Sequence, residues 1–203
     1  MRHGEVYNPE GIRYGQLPGY RLSARGRDQA REAAEFLRTL SPAITEVVAS
    51  PLERAVETAT IVQLELGLPA PGTDARLIEP VSVFDGLSRT AALRPRHWPR
   101  LWNPLRPSWS EPFAEVALRM RAAIAEHCNA RRDAAVLVVS HQTPIWITRH
   151  SYESRWPPWV TCVRCVHGSI TSLRFSGEHY RGQGYWKPSQ SSAGALWWLR
   201  PVA

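Results

Sequence analysis

Lysine is almost absent from this chain of 203 residues. Lys187 is the single lysine among 25 basic residues, so arginine carries nearly all of the positive charge. Cysteine is scarce too, with only Cys128, Cys162 and Cys165. An odd count without an export signal argues against a disulfide framework. No apolar run approaches the roughly 20 residues of a membrane span. Arg2 and His3 are followed by polar residues rather than the apolar core of a signal peptide. The expectation is a cytoplasmic protein with no membrane partner. A basic run is missing as well. The arginines are spread along the chain, which argues against a nucleic-acid partner even at a net charge of +7. Codon bias or a small anionic substrate would account for that charge equally well. Cys162-Val163-Arg164-Cys165 is a lone C-x-x-C with no His pair at zinc spacing. It reads as part of a strand-like stretch, so no metal site is expected.

What is present suffices for one domain with a buried core. Gly11 to Leu22 has no period and reads as an ordered loop. Ser23 opens a helix in which Ala30, Ala33, Ala34, Leu37 and Leu40 recur at helical spacing, and Pro42 ends it. Ile44 to Ala49 is a β-branched run, a buried strand. Ser50, Pro51 and Glu53 read as a capping box for a helix to about Gly67. Arg76 to Glu79 is strand-like and stops at Pro80. Residues 85–112 interleave prolines, arginines and Trp98, Trp102 and Trp109. They read as an excursion folding over a site, with arginines suited to an anionic group and tryptophans suited either to a ring or apolar wall or, equally, to packing the excursion onto the body. Pro112 to about Arg131 is an amphipathic helix. Ala135 to Ser140 is the clearest buried strand, with a helix over Pro144 to Tyr152 after it. Residues 168–175 and 179–185 flank Ser176-Gly177-Glu178 as a hairpin. A domain over 1–187 would leave 188–203 as a tail.

Apolar strands alternating with helices predict a three-layer α/β/α sandwich with a mainly parallel central sheet. Ligands bind beyond the carboxyl ends of such strands. Ser50 and Arg54 follow one strand end, and His141 follows another. Arg54 alone would read as a solvated helix charge, and His141 alone as a core histidine. Their joint placement with Arg2-His3-Gly4-Glu5 and Leu77-Ile78-Glu79 points instead to a site that holds a phosphate.

The chain resembles the histidine phosphatase superfamily, the phosphoglycerate mutase-like proteins, from Arg2 to about Phe175. The resemblance rests on Arg2-His3-Gly4-Glu5, Leu22-Ser23 with Gly26 and Gln29-Ala30, and Ser50-Pro51-Leu52 with Arg54-Ala55 and Thr58-Ala59. It continues through Leu77, Glu79, Phe84-Asp85-Gly86 and Ser140-His141. It implies that His3 becomes phosphorylated, that Arg2, Arg54 and His141 hold the phosphoryl group, and that Glu79 donates the proton. Asp85 is the second choice of acid and Glu5 a structural carboxylate. Asn8 and the backbone of Gln142, which replaces a common glycine, are further phosphate-binding candidates. The resemblance implies no cofactor, a small phosphorylated metabolite as partner, and a phosphatase rather than a mutase, because the chain is short. A homodimer is left open. Only Met1 precedes Arg2 where the family has a central strand, so the first strand is expected to be truncated and His3 poorly anchored. An impaired phosphate-ligand-binding protein is the reading from another class.

Overall fold

The computed structural model describes residues 1–88, 91, 94–95, 109–129, 134–153, 165–177 and 179–188. Three parallel strands form its centre in the order β2-β1-β3: β1 (Ile44–Ala49), β2 (Gly72–Thr73) and β3 (Ala135–Val139). Helices α1 (Ala24–Arg38) and α2 (Glu53–Leu66) cover one face. Helices α3 (Phe113–Asn129) and α4 (Gln142–Tyr152) cover the other. An antiparallel hairpin, β4 (Ile170–Ser176) and β5 (His179–Trp186), follows.

The continuous apolar run of β3 and the apolar half of β1, Val47 to Ala49, make this arrangement necessary. Successive strand residues face opposite sides, so a run with no polar alternation must be covered twice. Val47, Ala49, Leu137 and Val139 pack against Ala30, Ala33, Ala34, Leu37 and the α2 residues Ala55, Ala59 and Val62. Val48, Val136 and Val138 pack on the other side against Val116, Met120 and Ile147. Small residues dominate the α1–α2 layer, which lets those helices approach closely.

Helix α1 begins as its sequence demands: the Ser23 hydroxyl accepts from the Gly26 amide at 3.0 Å. Helix α2 does not. Its N-cap is Leu52, with no side-chain cap, and Ser50 looks elsewhere. The capping-box reading is therefore corrected: Ser50 lies next to β3, where its amide bonds Val139 O at 2.9 Å, and long-range partners outcompete the local one. Residues 75–77 form a 3-10 turn rather than a strand. Asp74 caps that turn and holds Arg76 with both carboxylate oxygens. Ser140 Oγ donates to Leu77 O at 2.7 Å, so the turn leading to Glu79 is fastened to the end of β3.

The expected weak anchorage of His3 is also corrected. Met1 N donates to Val138 O, Ser140 N to Met1 O, His3 N to Ser140 O and Arg2 N to Ser169 O. Residues 1–3 thus bond β3's end on one side and the approach to β4 on the other, in the place of a central strand, with a parallel bridge Arg2–Ser140. Most of the Trp/Arg-rich excursion, including Trp98 and Trp102, lies outside the described residues. So do Cys162 and residues 189–203. Among the described residues no helix is long and apolar enough to cross a membrane.

Candidate active site

The carboxyl ends of β1 and β3 and the short segment at Met1–His3 converge on one buried cluster. His3, Arg54 and His141 are each at most 2% exposed, burial that a charged or titratable group tolerates only with partners or a ligand. The His3 ring lies 5.2 Å from the His141 ring and 5.5 Å from the His167 ring. His3 Nδ1 is 2.7 Å from Gly4 O, so Nδ1 carries the proton and donates it. Nε2 is then the lone-pair nitrogen, and it accepts from Arg54 Nε at 3.3 Å. Burial first, then the charges of Arg54 and Arg2 and the neighbouring His141, hold the His3 imidazole well below its usual range.

Gly4 permits a close approach of two backbones. A Cβ there would meet Gly26 O at 2.3 Å, and a Cβ on Gly26 would meet Glu5 O at 2.0 Å. The His3 loop and the first turn of α1 touch backbone to backbone. The Gly4 amide donates to Thr58 Oγ1 at 3.1 Å, which ties the same loop to α2. Glu5 is structural, as expected: it accepts from Ser23 Oγ, and its own amide donates to Gln29 Oε1.

Arg54 stands on the first turn of α2, donates to Gly15 O at 2.6 Å, and lies 4.8 Å from the centre of the Tyr14 ring. Arg2 donates to Cys165 O and to His167 Nε2 at 2.8 Å. That bond fixes His167 as the tautomer protonated on Nδ1. Burial, then the charges of Arg2 and Arg54, lower its pKa to about 3. His141 Nε2 pairs with Ser50 Oγ at 2.7 Å across 91 residues. Its imidazole too is held well below its usual range by burial and by Arg54 and Arg2.

Glu79 closes the cluster. Its Oε1 accepts from Thr143 Oγ1 at 2.6 Å, and its main-chain oxygen accepts from Gln16. Burial raises the carboxyl above the usual carboxylate range, against the opposing pull of Thr143, Arg54 and Arg2. Arg2 Nε, His141 Nδ1 and Glu79 Oε2 are sealed from solvent without a partner among the described residues. Buried polar atoms are almost always bonded, so these three are the atoms of Arg2, His141 and Glu79 open to a ligand.

The expected site residues do not all join this cluster. Asn8 is turned onto its own loop, bonding both polar groups of the Ile12 backbone. Gln142 is an exposed residue at the start of α4, lining a cleft beside Glu79. Asp85 accepts from the Ser82 amide at 3.1 Å and presses against Gly15. Ser50, placed at a strand end by the sequence, meets His141 here, and Tyr14, Thr143 and His167 belong to the site without having been assigned there from sequence. The one signal for Thr143 is a hydroxyl in the first turn after His141. His167 carries none, because its partner is 165 positions away.

Residues 1–186 match the family model of the histidine phosphatase superfamily, branch 1. The chain belongs to that superfamily. A superfamily relative, the uncharacterised protein Rv0525 of Mycobacterium tuberculosis, is 40% identical over 195 residues, covering 93% of this chain and 95% of its own. The uncharacterised phosphatase PhoE of Bacillus subtilis is 27% identical over 91% of each chain. Among solved structures, the mycobacterial glucosyl-3-phosphoglycerate phosphatase Rv2419c bound to VO3 superposes with a TM-score of 0.76. It is 28% identical, and the match covers 93% of this chain and 96% of that one.

Proposed function

We propose that the chain is a metal-independent phosphatase that hydrolyses a small phosphomonoester through a phosphohistidine on His3. The observation that carries this reading is the His3 ring itself: neutral, its proton committed to Gly4 O, its Nε2 lone pair directed into the cluster of Arg54, His141 and Arg2. A neutral imidazole is a competent nucleophile. Phosphoryl transfer otherwise asks the protein for position and charge neutralisation, which arginine forks supply. The superfamily membership and the phosphatases among its relatives support the same reading.

In the first step Nε2 attacks phosphorus and the P–O bond to the leaving group breaks. Glu79, protonated, gives its proton to the departing oxygen. Positive charge on the phosphorylated ring is shared through Nδ1–H with Gly4 O. In the second step a water attacks phosphorus, its proton passes to the Glu79 carboxylate, and the P–N bond breaks. His3 returns neutral and inorganic phosphate leaves. Arg2, Arg54 and His141 hold the transferred group throughout.

The reading as an impaired ligand-binding protein rested on weak anchorage of His3. The main-chain bonds of residues 1–3 remove that reason. The test is turnover of an aryl phosphate in excess chelator, with acid-quenched and alkali-quenched labelling of the protein by the substrate's phosphorus. Label stable to alkali, labile to acid and lost in His3→Ala is expected. Undiminished turnover by His3→Ala would overturn the mechanism.

A further inference from the structure

Beside Glu79 opens a cleft of about 260 Å³. Its walls are the rings of Trp109, Phe113 and Trp146, with Arg13, Ser110 and Gln142 at its polar positions. Phe113 and Trp146 meet edge to face at 6.1 Å between ring centres, one from the start of α3 and one from α4. The register along α4 ties this wall to the chemistry. Thr143, whose hydroxyl holds Glu79, and Trp146 are three positions apart on one helix, so they share a face and stand about one turn, ~5 Å, from each other. A leaving-group oxygen at Glu79 is therefore followed, two or so bonds further on, by aromatic surface. Arg13 is placed by main-chain bonds to Leu87 and Gly86, and its guanidinium has no hydrogen bond or ion pair among the described residues.

We infer that the substrate's leaving group is an alcohol carrying a planar ring a short linker away from the ester oxygen, the ring seated against Trp109, Phe113 and Trp146. The guanidinium of Arg13 then reads an anionic substituent on that ring. This deepens the phosphatase reading and rests on it for its kinetic arm. A polyhydroxylated leaving group fits less well, because each hydroxyl buried against these rings would give up water without a bonding partner.

The experiment compares primary-alkyl monoesters, whose leaving oxygens are chemically alike: 2-phenylethyl phosphate, its para-carboxylate, glycerol 3-phosphate and glucose 6-phosphate. The ring-bearing esters should exceed the other two in kcat/KM by on the order of tenfold, the scale of one aromatic packing interaction. Trp146→Ala should reduce that ratio to near one, and Arg13→Ala should erase any preference for the carboxylate. A ratio of one or less in the wild-type chain overturns the inference. Calorimetry with unreactive phosphonates, 3-phenylpropylphosphonate against 3,4-dihydroxybutylphosphonate, separates the two claims. Tight binding of the phenyl analogue without hydrolysis of any ester would sink the phosphatase and keep the ring site. Equal binding of both would sink the ring site whatever the turnover.

Discussion

Removing one hydroxyl from Thr143 should move the alkaline limb of the pH–rate profile and leave the acid limb in place. Thr143 Oγ1 donates to Glu79 Oε1 at 2.6 Å, a bond that favours the ionised carboxylate and so opposes the rise that burial imposes. Thr143→Val keeps the shape and deletes the donor. A hydrogen bond to a charged group contributes about 1.5–3 kcal/mol and one to a neutral group about 0.5–1.5 kcal/mol, so the ionised form loses about 1–1.5 kcal/mol more than the protonated form. At about 1.4 kcal/mol per pH unit, the limb set by Glu79 should rise by about one unit. The added methyl acts in the same direction, since it makes the pocket drier.

The assay is kcat/KM against pH for one alkyl monoester, wild type beside Thr143→Val. Ionisation of the substrate's own phosphate, near pH ~6, is common to both enzymes and cancels in the comparison. His3 is held well below the usual imidazole range, so it stays neutral, and nucleophilic, far into acid. The acid limb should therefore not move with Thr143. An alkaline limb that stays in place, or moves towards acid, would refute Glu79 as the proton donor held by Thr143.

The remaining expectations concern how the site is held. Gly4→Ala places a methyl 2.3 Å from Gly26 O, a backbone atom that cannot rotate away. Overpacking of this kind costs about 2–3 kcal/mol, a fall in Tm of about 5–10 °C for a domain of this size, and an unchanged melting curve would refute the close approach. His167→Ala should weaken competitive inhibition by inorganic phosphate about tenfold or more, by freeing the Arg2 guanidinium. His167→Asn, which restores an acceptor, should recover it, and equal loss in both variants would limit His167 to packing. His167 is lowered to about 3, so the unfolded chain binds a proton there between pH ~3 and ~6.5 and the folded chain does not. Stability should climb with pH across that window, and His167→Asn should flatten the climb in urea titrations. Asp74 is lowered to about 2 by Arg76, so its contribution is complete above pH ~4 and is lost as pH falls through 2. Asp74→Asn should cost about 1–2 kcal/mol at neutral pH, after discounting the partly exposed Arg76, and almost nothing at pH 2.

The readability of this chain followed sequence distance. β1 matched its expected ends, α1 and α3 came within a residue or two, and β3 gave up only its last residue, because each is written in an uninterrupted local pattern. Arg54 and His141 were legible because topology places residues just past parallel strands near the same crevice, and His3 and Glu79 because the motifs around them resemble those of the superfamily. The misreadings share one cause. Ser50 satisfies a local capping rule, yet its hydroxyl meets His141, 91 positions on. Gly4 is needed for its close approach to Gly26 O, a contact no local pattern encodes. The Arg2–His167 and Glu79–Thr143 bonds span 165 and 64 positions, and no periodicity encodes such pairs. Asn8 errs the other way, since its side chain closes a bond only four residues away.

The near-absence of lysine acquires a physical meaning at the site. Phosphoryl transfer through histidine asks one small volume to hold a neutral imidazole, a protonated carboxyl and fixed positive charge. Burial favours the first two, because a dry environment disfavours the charged form of both groups and so lowers His3 while raising Glu79. The same burial works against the third. It lowers Arg54 as well, but a guanidinium starts so high that it keeps its proton. An ammonium in that place, 2% exposed and beside Arg2, would begin two units lower and be driven towards neutrality by the dryness that prepares His3. Arginine is the one side chain that leaves burial free to set the other two protonation states. Its planar fork also lets Arg54 serve His3 Nε2 and Gly15 O at once, which fixes the positive charge in place before any phosphate arrives.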